Sequence, residues 1–243
     1  MLEVRGVDVF YGEAQALFGV DLLVADGEVV CIVGPNGAGK TTLVYAIAGM
    51  LPIARGSVEV GGAAVAGQPA HLVCRSGVAI VPEGRRLLPE LTVEDNLRVA
   101  TYAMSREEGK KGLEYALELF PQLKKRWQSR ARLLSGGEQQ MVVLAQALAS
   151  QPTTLLVDEL SLGLAPVVVK RLVPTLEEVA SSGVGVLLIE QFAQVALGMA
   201  NAAYVLEGGR IRYSGTAAEL RDNPELLSSA YLLRELEGGD GAG

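Results

Sequence analysis

Val29-Val30-Cys31-Ile32-Val33-Gly34-Pro35-Asn36-Gly37-Ala38-Gly39-Lys40-Thr41-Thr42 decides the fold. Its first five residues are apolar and mostly β-branched, the pattern of a buried strand. The next eight, Gly34 to Thr41, match G-x-x-x-x-G-K-[ST], the phosphate-binding loop. Its glycines let the backbone turn tightly and bring N–H groups up to phosphate oxygens. From Lys40 to Met50 the apolar residues recur at helical spacing, with Leu43, Ile47 and Met50 on one side. A phosphate here would sit at a helix N-terminus, where free N–H groups and the macrodipole favour anions. Lys40 supplies a cation for the β- and γ-phosphates and Thr41 a hydroxyl for Mg²⁺. A Gly-rich connecting turn would not need strand, loop, Lys-Thr and helix in that order.

Working outward, alternating or continuous apolar runs predict strands over Leu2 to Phe10, Leu17 to Val24, Ser57 to Val60 and Gly77 to Val81. Gly61-Gly62 signals a hairpin leading to Val65. Thr92-Val93-Glu94-Asp95 and Ser105-Arg106-Glu107-Glu108 look like capped helix starts, and Pro121 ends the second helix. A third helix is expected from Ser135 to about Ser150. Then strand and helix alternate: Thr154–Asp158, Pro166–Ala180, Val184–Ile189, Phe192–Ala200, Ala203–Leu206. Such alternation means an α/β fold with a mostly parallel sheet flanked by helices. Arg210 to Tyr213 adds a hairpin strand, Asn223 to Leu236 a last helix, and 237–243 a flexible tail.

Composition sets the outer bounds. The 243 residues are 49% hydrophobic and 20% charged with a net charge of −7, which describes a folded chain without a nucleic-acid surface. Lys110-Lys111 and Lys124-Lys125-Arg126 read as solvated helix faces. The two cysteines, Cys31 and Cys74, have no metal-ligand spacing and are expected as buried free thiols in a reducing compartment. The start, Met1-Leu2-Glu3-Val4-Arg5, has no apolar signal-peptide core, and no apolar run is long enough to span a membrane.

Two more segments carry chemistry. Leu155-Leu156-Val157-Asp158-Glu159 ends a strand in two acids, where a parallel sheet meets its ligand crevice. An acidic cap on the next helix is the plainer alternative. Leu134-Ser135-Gly136-Gly137-Glu138-Gln139-Gln140 is a capping box, and its two glycines in a first helical turn cost stability. Ser135 with the N–H groups of Gly136 and Gly137 also forms an anion site.

Phosphate loop, Ser-Gly-Gly-Glu-Gln segment and paired acids, in this order, resemble the ATP-binding subunits of ABC transporters. The resemblance implies a P-loop NTPase core at 1–86 and 151–236, with an N-terminal antiparallel β subdomain and an inserted helical subdomain at 87–150. The cofactors would be ATP and Mg²⁺. Tyr11 matches the aromatic that stacks on adenine, with Ala16 beside the base and Asn36, Gly37, Ala38, Gly39, Lys40, Thr41 and Thr42 around the phosphates. Asp158 matches a Mg²⁺ ligand and Glu159 the base that polarises the attacking water. Ser135, Gly136 and Gly137 match the segment that binds the γ-phosphate held by an opposite subunit.

Three positions depart from the common pattern. Leu160 replaces a Pro that would restrict the backbone, which predicts a slightly looser Ser161–Ala165 loop. Glu83 stands where Gln usually touches Mg²⁺ and the water. Gln191 stands where His usually meets the γ-phosphate, and its amide can donate a hydrogen bond but carries no proton. The only histidine, His71, is expected at the surface. Val81-Pro82-Glu83-Gly84-Arg85-Arg86, Ser161 to Pro166, Glu190-Gln191 and the ending Ser229-Ala230-Tyr231-Leu232 look like the LivF-type ATP-binding subunit of branched-chain amino acid importers. ATPases of urea or short-chain amide importers are similar. This type implies a second ATPase subunit (LivG-like, or a second copy), two membrane-spanning permeases, an extracytoplasmic binding protein, and a place on the cytoplasmic face of the membrane. A DNA-maintenance ATPase would need a long coiled coil, and a ribosome-acting one two nucleotide domains and basic surfaces. A non-catalytic regulatory subunit is disfavoured by the intact Glu159.

Overall fold

Successive residues of the central strands go to opposite sides. Cys31, Val33, Leu155 and Val157 enter one buried cluster; Val30, Ile32 and Leu156 enter another. This period of two makes the strands the partition between two cores. The computed structural model describes residues 1–190, 193–223 and 225. In chain order the elements are β1 (Leu2–Tyr11), β2 (Ala14–Val24), β3 (Val29–Val33), α1 (Lys40–Ile47), β4 (Arg55–Val60), β5 (Ala63–Ala64), α2 (Ala70–Arg75), β6 (Val78–Val81), α3 (Val93–Ala100), α4 (Arg106–Leu119), α5 (Gly136–Ala149), β7 (Thr154–Asp158), α6 (Pro166–Ser181), β8 (Gly185–Glu190), α7 (Ala193–Met199), β9 (Ala202–Glu207), β10 (Arg210–Thr216) and α8 (Ala217–Asp222).

Two sheets form. One is antiparallel, in the order β2-β1-β4-β5; the other runs β10-β9-β3-β8-β7-β6 and is parallel except for β10. The register sets Val33 beside Glu190, Ile189 beside Asp158 and Val157 beside Val81. The ends of β3, β8, β7 and β6 therefore lie level along one edge. The α/β fold and its antiparallel N-terminal sheet agree with the sequence. Between β6 and β7 stand α3, α4, two short 3-10 turns and α5.

The expected caps are present. Thr92 accepts from the Asp95 amide, and Ser105–Glu108 and Ser135–Glu138 are complete capping boxes. Other expectations need correcting. Cys31 is buried, and burial pushes its thiol up to about 12, but Cys74 is exposed because α2 buries only Val73. Met50 is 46% exposed: α1 stops at Ile47, and Gly49 turns into the left-handed region. Asn223 is the C-cap of α8, which the sequence reading passed over. Beyond Asn223 and Glu225, the expected helix Asn223–Leu236 and the tail 237–243 lie outside the described residues, as does Gln191. Among the described residues no helix is long and apolar enough to cross a membrane. His71 and both basic clusters are exposed.

Helices α4 and α5 pack closely, and Gly112 makes this possible: a Cβ there would collide with the Ala149 carbonyl oxygen and sit 2.9 Å from its carbon. Ala is the better helix former by about 1 kcal/mol, but overpacking against backbone costs about 1–3 kcal/mol. A clash with backbone oxygen lies at the upper end of that range, so Gly112→Ala is expected to destabilise by a net of about 2 kcal/mol, lowering the Tm by about 4–8 °C. Differential scanning calorimetry measures this; an unchanged or raised Tm would show that the two helices separate at no cost.

Candidate functional site

The phosphate loop joins the level edge of the parallel sheet to α1. Gly39 caps that helix at φ 104° with no side-chain cap, and no acid lies in the first turn. The helix's leading N–H groups are thus left to an anion. Lys40 is only 5% exposed, and its ammonium donates to the carbonyls of Gly34 (2.8 Å) and Pro35 (3.0 Å). Burial lowers its pKa; Glu159, Asp158 and Glu190 act in the opposite sense.

A cleft of about 690 Å³ lies against this loop. Of the residues expected from the sequence, Tyr11, Ala16, Asn36, Gly37, Gly39, Lys40, Thr41, Thr42, Glu83 and Glu159 line it. Ala38 is turned into the core instead, and its carbonyl accepts from the Gly209 amide at 2.9 Å. Tyr11 is 52% exposed, with its hydroxyl 3.3 Å from that of Thr42. Ser135 is exposed and, with Gly136 and Gly137, stands outside the cleft. The two glycines have a packing reason as well: a Cβ would meet the Arg85 guanidinium at Gly136 and the Val168 side chain at Gly137.

Gln15, Phe18, Leu162, Gly208 and Gly209 also line the cleft, and the sequence reading did not select them. In the sequence Gly208-Gly209 only precedes the expected hairpin strand Arg210 to Tyr213. The Gly209 amide and carbonyl bond Ala38 and Phe18, from segments about 170 and 190 residues earlier, a pairing no local pattern announces. The Arg210 guanidinium closes the same wall, 4.4 Å from the Phe18 ring centre.

Asp158 lies beneath the cleft. It is 1% exposed, and neither carboxylate oxygen has a hydrogen-bond partner of ordinary geometry. Burial pushes its pKa up to about 6; the Thr41 hydroxyl favours the charged form, while Glu159 and Glu83 oppose it. Glu159 is also raised, first by burial and then by Glu83. Its backbone is left-handed at φ 54° and its amide donates to the Ile189 carbonyl at 2.9 Å, so the carboxylate is carried at a fixed corner after β7. Glu83 is exposed at the rim.

A Mg²⁺ ion fits these donors. Two orphaned, buried Asp158 oxygens and the neighbouring Thr41 hydroxyl are hard ligands, with Glu83 at the rim. No cluster of three His, Cys, Asp or Glu exists among the described residues, so phosphate oxygens and water would have to complete the shell of such an ion.

The departure at Leu160 has a different outcome from that expected. Leu160 is fully buried, and the next residue is gripped by Glu190, whose carboxylate accepts from the Ser161 amide (2.8 Å) and hydroxyl (2.6 Å). The start of the loop is thus anchored rather than loosened.

The raised Asp158 pKa fixes a pH dependence. The folded chain holds this proton up to about pH 6 and the unfolded chain only to about pH 4. The native state binds more protons between these values, so its stability falls as pH rises through them. Without Mg²⁺ or nucleotide, Asp158→Asn is expected to be about 2–3 kcal/mol more stable than wild type at pH 7. The advantage should shrink towards pH 4. Calorimetry across this range checks it; a pH-independent difference would show that Asp158 does not titrate as described.

This geometry has known counterparts. Residues 17–161 match the ABC transporter family. The high-affinity branched-chain amino acid transport ATP-binding protein BraG of Pseudomonas aeruginosa is 43% identical over 96% of this chain and 99% of its own length. A probable branched-chain amino acid transport ATP-binding protein, LivF, of Archaeoglobus fulgidus is 34% identical over 92% of this chain and 95% of its own. A second Pseudomonas aeruginosa protein of this kind, BraF, is 31% identical over 96% of this chain and 97% of its own. The ADP conformation of an ATP-binding cassette from an ABC transporter superposes with a TM-score of 0.85 at 25% identity, covering 96% of this chain and 98% of that one. A phosphate loop before an uncapped helix, two acids at the end of β7 on the same sheet edge and a match along nearly the whole chain lead to one conclusion: this chain belongs to the ABC transporter family, as an ATP-binding subunit that hydrolyses ATP to drive transport.

Proposed function

We propose that this chain is the ATPase subunit of an importer for branched-chain amino acids. The observation that carries the reading is the near full-length match, at 43% identity, to BraG. The site supports the mechanism. Loop amides, the α1 N-terminus and Lys40 hold the triphosphate, Tyr11 and Ala16 the base. Thr41, Asp158 and Glu83 would hold Mg²⁺, which neutralises charge on the phosphates. Glu159 takes the proton of the attacking water, a task that a raised carboxylate pKa favours. Catalysis is mainly positional and electrostatic. Gln191 donates to the γ-phosphate in this reading.

The exposure of Ser135, with its segment outside the cleft, supports head-to-tail pairing, in which this segment meets nucleotide on a second ATPase subunit. That organism's two relatives, BraG and BraF, favour a related but distinct partner. A mostly apolar groove of about 480 Å³ between α2, β6 and α5 suits a segment of a membrane-spanning permease. The chain then works at the cytoplasmic face of the membrane as one domain, with 87–150 as its helical subdomain.

Glu159→Gln keeps the shape and removes the base. It is expected to bind ATP normally, hydrolyse it at least about 100-fold more slowly and trap an ATP-bound pair. Turnover within a few-fold of wild type would overturn the role of Glu159. The substrate is tested separately, with the assembled transporter in vesicles. Its ATPase should rise when the binding protein carries leucine, isoleucine or valine. A rise with urea or short-chain amides alone would move the assignment to those importers.

A further inference from the structure

Arg85 lies two residues beyond Glu83, in the loop after β6, and no role above uses it. Its φ is +47°, in the left-handed region that side-chain-bearing residues seldom occupy. From there Nη2 donates to the carbonyl oxygens of Gly163 (2.9 Å) and Leu162 (3.2 Å). Those two residues form the turn that follows Glu159 and Ser161. The same guanidinium lies against the first turn of α5: a Cβ at Gly136 would be 3.0 Å from Nη1 and 3.4 Å from Cζ. A cation beside a helix N-terminus opposes the macrodipole, so this placement needs other partners. The two carbonyls supply them. Pro82, Gly84, Arg85, Gln139, Glu159 and Leu162 line one hollow of about 190 Å³, so Glu159 shares a wall with the clasp.

We infer that Arg85 is a positioning residue for ATP hydrolysis: one guanidinium fastens the Glu83 loop, the turn after Glu159 and the first turn of α5 into a unit. The turn is then held at two points. Glu190 grips Ser161 from the sheet side, and Arg85 grips Leu162 and Gly163 from the helix side. Glu159 stands just before both grips in a strained backbone. Without Arg85 the Leu162 and Gly163 carbonyls turn to water and one grip is lost. A displacement near 1 Å at a reacting group costs up to about 100-fold in rate. Lys replaces Arg only in part: Nη2 alone reaches both carbonyls while Nη1 and Cζ lie against Gly136, and the one nitrogen of an ammonium cannot serve the turn and fill the place beside α5 together.

The inference rests on the catalytic role proposed for Glu159, which the Glu159→Gln variant tests by itself. Arg85→Met keeps the stem and Arg85→Lys the charge. Both are measured on the full chain, in the assembly in which wild type hydrolyses ATP. Arg85→Met is expected to lower kcat about tenfold with KM for ATP within about twofold, because the phosphate loop is untouched. Arg85→Lys should fall between. Amide hydrogen exchange reads the clasp directly, whatever Glu159 does. Residues 160–165 and 136–139 should exchange faster together in Arg85→Met, while the Tm stays within about 2 °C of wild type. Three results would overturn the inference: kcat within twofold of wild type, faster exchange in only one segment, or kcat, ATP affinity and Tm falling together.

Discussion

One buried ammonium faces a surplus of carboxylates. Lys40 is held between loop carbonyls, and Asp158, Glu159 and Glu190 each act on its charge. Glu83 adds to the negative field at Asp158 and Glu159. A triphosphate would bring more negative charge to a place already rich in it. Three features answer this. The α1 N-terminus offers unpaired N–H groups, burial keeps acid pKa values high, and two orphaned Asp158 oxygens invite a divalent cation. The site is therefore built to be stable when occupied and uneasy when bare.

That unease explains why so much of the surrounding structure is anchorage. Glu159 keeps a backbone conformation that is costly for a residue with a side chain. Leu160 is sunk in the core directly after it, Ser161 is bonded twice to a buried Glu190, and the β8 carbonyl of Ile189 takes the Glu159 amide. A Pro after Glu159 would stiffen the chain through its own ring; here a buried Leu and a buried carboxylate hold it from outside.

Much of this was legible in residue order. The phosphate loop, the strand-end acids and three helix starts follow from local spacing, because glycine, capping hydroxyls and apolar period act over a few residues. Thr216-Ala217-Ala218-Glu219 carries the same capping signal and marks α8, which a reading fixed on a later helix passed over. What was not legible depends on distant partners. Cys74 looks like core but sits on a six-residue helix that buries one residue. Gly209 lines the cleft pressed against Ala16, where a Cβ would strike the Ala16 carbonyl, a constraint set about 190 residues away in the chain. Arg85 reads only as part of the Val81–Arg86 stretch until the turn at Leu162 and Gly163 is seen beside it.

The order of strands in the parallel sheet has a consequence for synthesis. β3 lies between β8 and β9, so Val29 waits for Val186, 157 residues later (186 − 29), before its sheet exists. The antiparallel sheet of β1, β2 and β4 is complete by Val60. A ribosome adding about 5–20 residues per second leaves the apolar β3 without neighbours for roughly 10–30 s. During that interval the nascent chain has a nucleotide-loop sequence but no nucleotide site, and its most apolar strand is what a chaperone would meet.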